Sequence, residues 1–139
     1  MRIALEQAHI AVLENEVPVG ALIVHQGEII ACSHNRCRQL ADESQHAEML
    51  VLKQAKSRLG SLDDCTLYVT MEPCAMCAGA MVHYKLPKLV FGAYDVRCGC
   101  CGSRIDLTDH WFYHSIETLG GIYESECVEI LSEFFKQKR

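Results

Sequence analysis

The sequence predicts a single α/β domain, on three observations. Some segments place apolar residues at helical period, others are short β-rich apolar runs, and the two kinds alternate with no Pro/Gly/Ser linker between them. At 139 residues the chain has the length of one globular domain, roughly 100–150 residues, so 1–139 is expected to fold as a unit. Half of the residues are hydrophobic and 22% are charged, a balance that supplies a core and excludes a disordered chain. Nowhere do apolar residues run for the roughly 18 positions that a membrane helix needs. The N-terminus has no secretion-signal pattern, and the expected setting is the cytoplasm.

Five helix-like and about five strand-like segments follow. Residues 2–15 carry Ile3, Leu5, Ala8 and Val12 near helical spacing, with Pro18 as the stop. Residues 19–25 and 28–34 are β-rich and joined by Gln26-Gly27, which favours an antiparallel hairpin. The polar stretch 35–45 reads as a loop. Residues 46–59 return to helical period and end at Gly60, a natural C-terminal stop. Cys65 to Met71 is a buried-strand run, and Pro73 then opens a helix that reaches about Tyr84. Leu86 to Gly92 and Ile116 to Ile122 read as strands, and Tyr123 to Lys138 as a closing amphipathic helix.

Nine cysteines are an odd number, which weakens a disulfide reading, and in a reducing compartment attention falls on those at metal-ligand spacing. Two clusters have that spacing: His46-Ala47-Glu48 and Pro73-Cys74-Ala75-Met76-Cys77. Cys74 and Cys77 are three apart and share one helix face near its positive end, which favours thiolates. One His and two Cys make three zinc ligands, the number that leaves a catalytic ion one open position. His46 and Glu48, two apart, would diverge inside a helix and must therefore sit at its first turn. Glu48 is then close enough to move a proton without being a ligand.

With Val17-Pro18-Val19-Gly20-Ala21, Ser33-His34-Asn35-Arg36, Leu67-Tyr68-Val69-Thr70, Met76-Cys77-Ala78-Gly79-Ala80 and Val90-Phe91-Gly92-Ala93, these clusters resemble the tRNA-specific adenosine deaminases of the cytidine/deoxycytidylate deaminase superfamily. Gly102-Ser103 and the segment from Glu126-Cys127 to Phe134-Phe135 extend the likeness to parts that free-base deaminases do not usually share. The resemblance implies a three-layer α/β/α sandwich of the cytidine deaminase type, with a five-stranded mixed sheet and five helices. It makes His46, Cys74 and Cys77 the ligands of one Zn2+ per subunit, and Glu48 the general acid/base. Asn35 falls where the family holds the target base by its ring edge, and Phe134 or Phe135 where an aromatic lies near the flipped nucleotide. The implied activity is a hydrolase reaction at a cyclic amidine, adenosine to inosine at the wobble position of a tRNA anticodon arm, carried out by a homodimer.

Other readings stand beside these. A free-base or nucleoside deaminase, of guanine or cytosine type, could share the metal site. A non-catalytic RNA-binding subunit with structural zinc has no use for Glu48. Asn35 could simply cap a loop, and Phe134 and Phe135 could be core. Cys98, Cys100 and Cys101 could complete a closed zinc site or form a second one, though surface or packed thiols are the simpler reading. Cys32, Cys37, Cys65 and Cys127 read as small buried or half-buried residues. A net charge of −5 argues against a globally basic nucleic-acid surface. It divides unevenly, however: residues 84–104 carry Lys85, Lys88, Arg97 and Arg104 against Asp95, residues 105–135 hold seven acids and no Lys or Arg, and Lys136, Lys138 and Arg139 end the chain. The two basic segments are expected to contact RNA.

Overall fold

A computed structural model describes residues 1–110 and 112–139. The chain runs α1 (Arg2–Leu13), β1 (Gly20–His25), β2 (Glu28–His34), α2 (Cys37–Leu40), α3 (Ala47–Leu59), β3 (Cys65–Met71), α4 (Ala75–His83), β4 (Lys88–Ala93), β5 (Glu117–Leu119) and α5 (Glu124–Gln137). The five strands form one mixed sheet in the order β2-β1-β3-β4-β5. β1 is antiparallel to both β2 and β3, whereas β3, β4 and β5 are parallel. α1 packs on β1, β2 and β3 and touches α5, while α3 packs on the same strands and touches α4. The helices thus cover opposite faces of the sheet, giving the expected three layers.

Alternation along the strands builds the larger core. Ala21 and Ile23 of β1, Cys65, Leu67 and Val69 of β3, and Leu89 and Phe91 of β4 meet Val51, Leu52 and Ala55 of α3 and Ala78, Met81 and Val82 of α4. In the β1–β2 connection both Gln26 and Gly27 have positive φ, 49° and 79°, as a tight two-residue hairpin turn demands. Gly60 ends α3 in the left-handed conformation and donates its N–H to the Lys56 carbonyl.

Several boundaries differ from expectation, each for a local reason. α1 stops at Leu13 because Asn15 turns left-handed (φ 61°) and Glu16 donates back to the Ala11 carbonyl, before Pro18 can act. The stretch 35–45 is not all loop: Cys37–Leu40 makes one helical turn, too short to show a period. It is held from outside, where Glu16 Oε1 accepts the Gln39 N–H at 2.8 Å. α4 begins after Cys74, not at Pro73. β4 begins at Lys88 because the preceding Pro87 has no N–H to give a ladder. β5 is confined to Glu117–Leu119, since Gly120 and Gly121 turn the chain back toward Gly92.

α1 approaches the sheet closely because its inner face is alanine: Ala4, Ala8 and Ala11 are fully buried. A Cβ at Gly20 would lie 2.0 Å from the Ala4 carbonyl oxygen and 2.7 Å from the Ala8 nitrogen. Both are backbone atoms that no rotamer change can move. Gly20→Ala is therefore expected to cost about 2–3 kcal/mol of stability, the upper range for overpacking, measured as a lower urea midpoint. An unchanged midpoint would show that α1 is free to shift off the sheet.

Candidate active site

Two helix N-termini build the site. His46 is the N-cap of α3 and Cys74 the N-cap of α4, both with extended backbone, and neither side chain makes the usual capping hydrogen bond. Their side chains instead turn toward each other. His46 Nδ1 lies 3.7 Å from Cys74 Sγ and 3.5 Å from Cys77 Sγ, and the three ligand atoms all fall within 4.8 Å of one another. Zinc bonds of about 2.0 Å to nitrogen and 2.3 Å to sulfur give tetrahedral N–S edges of about 3.6 Å. Nitrogen and thiolate donors at that separation fit such an ion. Among the described residues the group contains no fourth protein ligand.

Charge at the two caps is matched to that use. Cys74 is pulled down to about 4, first by the hydrogen bond it receives from Cys77 and then by His46. Cys77 is pushed up, first because it shares its proton with Cys74. The hydrogen bond to Cys74 raises His46. Both helix dipoles add positive potential at the same point. Glu48, in the first turn of α3, is buried, and that burial lifts its carboxyl to about 7. Among the ligands and Glu48, three side chains, His46, Glu48 and Cys74, line a cavity of about 600 Å3, while Cys77 is fully buried.

Asn35 lines the same cavity and also caps a helix end. Its Oδ1 accepts the Ala47 N–H at 2.8 Å, replacing the cap that His46 does not make, and its Nδ2 has no partner among the described residues. Phe134 and Phe135 lie elsewhere. Phe134 is buried, edge-on to Phe135 at 5.4 Å, with Lys138 Nζ 5.2 Å above its ring. Phe135 is exposed and lines a second groove with Tyr94, Arg97, Lys136, Lys138 and Arg139. That groove adjoins the cavity, because Met71 and Asp95 line both.

All nine cysteines are free. Cys98 is exposed at the cavity wall, whereas Cys100 and Cys101 are buried beside the Cys98 and Pro73 carbonyls. Cys32 is exposed on the edge strand β2, not buried or half-buried as expected. Sequence reasoning assigned no role to Glu72, yet it organises the loop beside the site. Its Oε1 accepts the Cys101 and Ser103 N–H groups at 3.0 Å, and its Oε2 accepts the Asp95 N–H at 2.9 Å and the Ser103 hydroxyl. A Cβ at Gly99 would lie 2.4 Å from that carboxyl. A buried acid directly before Pro73-Cys74 was the available signal.

Comparison with known proteins agrees with this geometry. The family model of MafB19-like deaminases matches residues 1–139. A tRNA-specific adenosine deaminase of Bacillus subtilis (strain 168) is 44% identical, covering 100% of this chain and 88% of that protein. One from Aquifex aeolicus (strain VF5) is 41% identical, covering 100% and 93%. A structure solved in a study of A-to-I editing by tRNA:A34 deaminases at the wobble position superposes with a TM-score of 0.87 and 38% identity, over 94% of this chain and 97% of that one. Identity at this level along the whole chain, on the same fold, places the protein in the family of tRNA-specific adenosine deaminases.

Proposed function

We propose that this protein hydrolyses adenosine to inosine at the wobble position of a tRNA anticodon, with one zinc ion per subunit held by His46, Cys74 and Cys77. The observation that carries the chemistry is Glu48, a buried carboxyl in the cavity that His46 and Cys74 of the three-donor ligand group also line. A zinc ion held there supplies the Lewis acidity that makes water a nucleophile near neutral pH. Glu48 takes a proton from the water that attacks the amino-bearing carbon and gives it to the neighbouring ring nitrogen. It then moves the second proton to the amine, which leaves as ammonia. Asn35, its Oδ1 occupied by Ala47, offers Nδ2 to an acceptor on the edge of the base.

The tRNA reading is supported by the adjoining groove, where Arg97 meets Lys136, Lys138 and Arg139 and Tyr94 stands beside Phe135. Cations for phosphates and aromatic faces for unstacked bases are what a single-stranded loop requires. The basic segments contribute unequally: Lys88 pairs with Glu117 at 3.4 Å, and of the four cations in 84–104 only Arg97 lines the groove. A free guanine or cytosine would leave this groove unused. A cytoplasmic homodimer is the setting that the family resemblance implies, and no described helix is long and apolar enough to cross a membrane.

Two experiments check these assignments. Glu48→Ala is expected to abolish inosine formation in sequenced tRNA while zinc stays near one per chain; Cys74→Ala should lose the zinc itself. Deamination of free guanine or cytosine with tRNA left untouched would overturn the substrate. The second experiment uses zinc-free protein. Glu48 ionises near 4.5 when unfolded and about 7 when folded, so the unfolded chain gives up its proton first. The contribution of Glu48 to stability should therefore fall by roughly 3 kcal/mol as pH rises from about 4.5 to 7, against the opposite contribution of Cys74, whose thiol is held down to about 4. Glu48→Gln should remove that component in urea titrations across the window.

A further inference from the structure

Besides Glu48, the cavity holds a second buried carboxylate with an oxygen to spare. Glu16, on the connection from α1 to β1, is 1% exposed and lines the cavity. One oxygen, Oε1, accepts the Gln39 N–H at 2.8 Å, and Oε2 accepts nothing among the described residues. No Lys, Arg or His among them lies within ion-pair distance of it. Glu72, the third buried carboxylate, has both oxygens occupied by the 95–103 loop. A carboxylate on so buried a residue is costly unless donors reach its oxygens, and Glu16 lines the space that the substrate enters.

The missing partner can be identified from donors. An ionised carboxylate only accepts hydrogen bonds, and phosphates, also anionic acceptors, are excluded. Adenine has one donor group, its exocyclic amine, which is the leaving group and belongs to Glu48. Within an RNA chain the 3′ and 5′ oxygens of each ribose are esterified, so the sugar keeps a single donor, its 2′-hydroxyl. We propose that Glu16 is a substrate-binding residue whose free oxygen accepts the 2′-hydroxyl of a nucleotide seated in the cavity, so that the site selects RNA over DNA. This deepens the tRNA deaminase reading and rests on it.

The test uses zinc-loaded protein and synthetic anticodon stem-loops of a tRNA that the wild-type enzyme deaminates. Single 2′-deoxy replacements are made at the target adenosine and at each flanking nucleotide, and kcat/KM is measured for each. A hydrogen bond to a charged group corresponds to about tenfold or more in binding. Wild type is expected to prefer ribose by that factor at one of these positions, and Glu16→Ala to bring the ratio at that position to near one. Since Glu16 also holds the Gln39 N–H, zinc content and melting of each variant are recorded. Should Glu16→Ala not fold, Glu16→Gln keeps an acceptor for Gln39 and should weaken the preference at least severalfold, because an amide NH2 donor then replaces the free acceptor oxygen. Rates that fall in parallel on ribo and deoxy substrates in a folded variant, or no preference at any position in wild type, would overturn the proposal. Failure of wild type to deaminate any tRNA would instead remove the function on which it rests.

Discussion

The structure depends on two helices that begin at the same point in space. A helix start normally satisfies its first N–H groups with an N-cap side chain, at a benefit of about 1 kcal/mol. Here His46 and Cys74 occupy both N-caps and turn their side chains away from that task. What they form instead is a ligand group aimed along two converging positive dipoles. The cap that α3 lacks is supplied from another part of the chain, since Asn35 reaches the Ala47 N–H from the end of β2. One side chain thereby stabilises α3, sets the position of His46 and presents its remaining amide to the cavity.

The same convergence explains why the grouping of His46, Cys74 and Cys77 was easy to read from the sequence. Cys74 and Cys77 three apart, and His46 two before Glu48, can serve one centre only at a helix start, so the spacing carried the geometry with it. The strand hairpin was equally legible, because Gln26-Gly27 permits little except a tight turn with positive φ. Glu16 and Glu72 were not legible. Each acts through partners 23 or more residues distant, and although Glu72 stands directly before Pro73-Cys74, neither acid has a period that marks what it binds. Phe134 and Phe135 show a different limit. They are adjacent and chemically identical, and only the phase of α5, which buries Cys127, Ile130 and Phe134, turns one inward and the other toward the groove.

Charge shows what composition conceals. A net −5 suggests a poor partner for RNA, yet it averages over two regions with opposite tasks. Carboxylates line the cavity beside Arg38: Glu48 is the proposed proton carrier, Glu72 ties down the adjoining loop, and Glu16 leaves an acceptor free. Cations stand in the outer groove, with Arg97, Lys136, Lys138 and Arg139 beside two aromatic rings. The cations of the groove attract an anionic backbone within the roughly 10 Å screening length.

This arrangement suits a nucleotide that is turned out of its strand. Under the proposed function the reactive base and its sugar enter the cavity, turned out of the strand, while neighbouring phosphates stay among the cations of the groove. An unpaired loop meets that demand with less unstacking than a duplex. Under the proposed function the inner acids divide the work: Glu48 transfers the protons, Glu72 holds the adjoining loop and Glu16 takes a hydroxyl of the sugar.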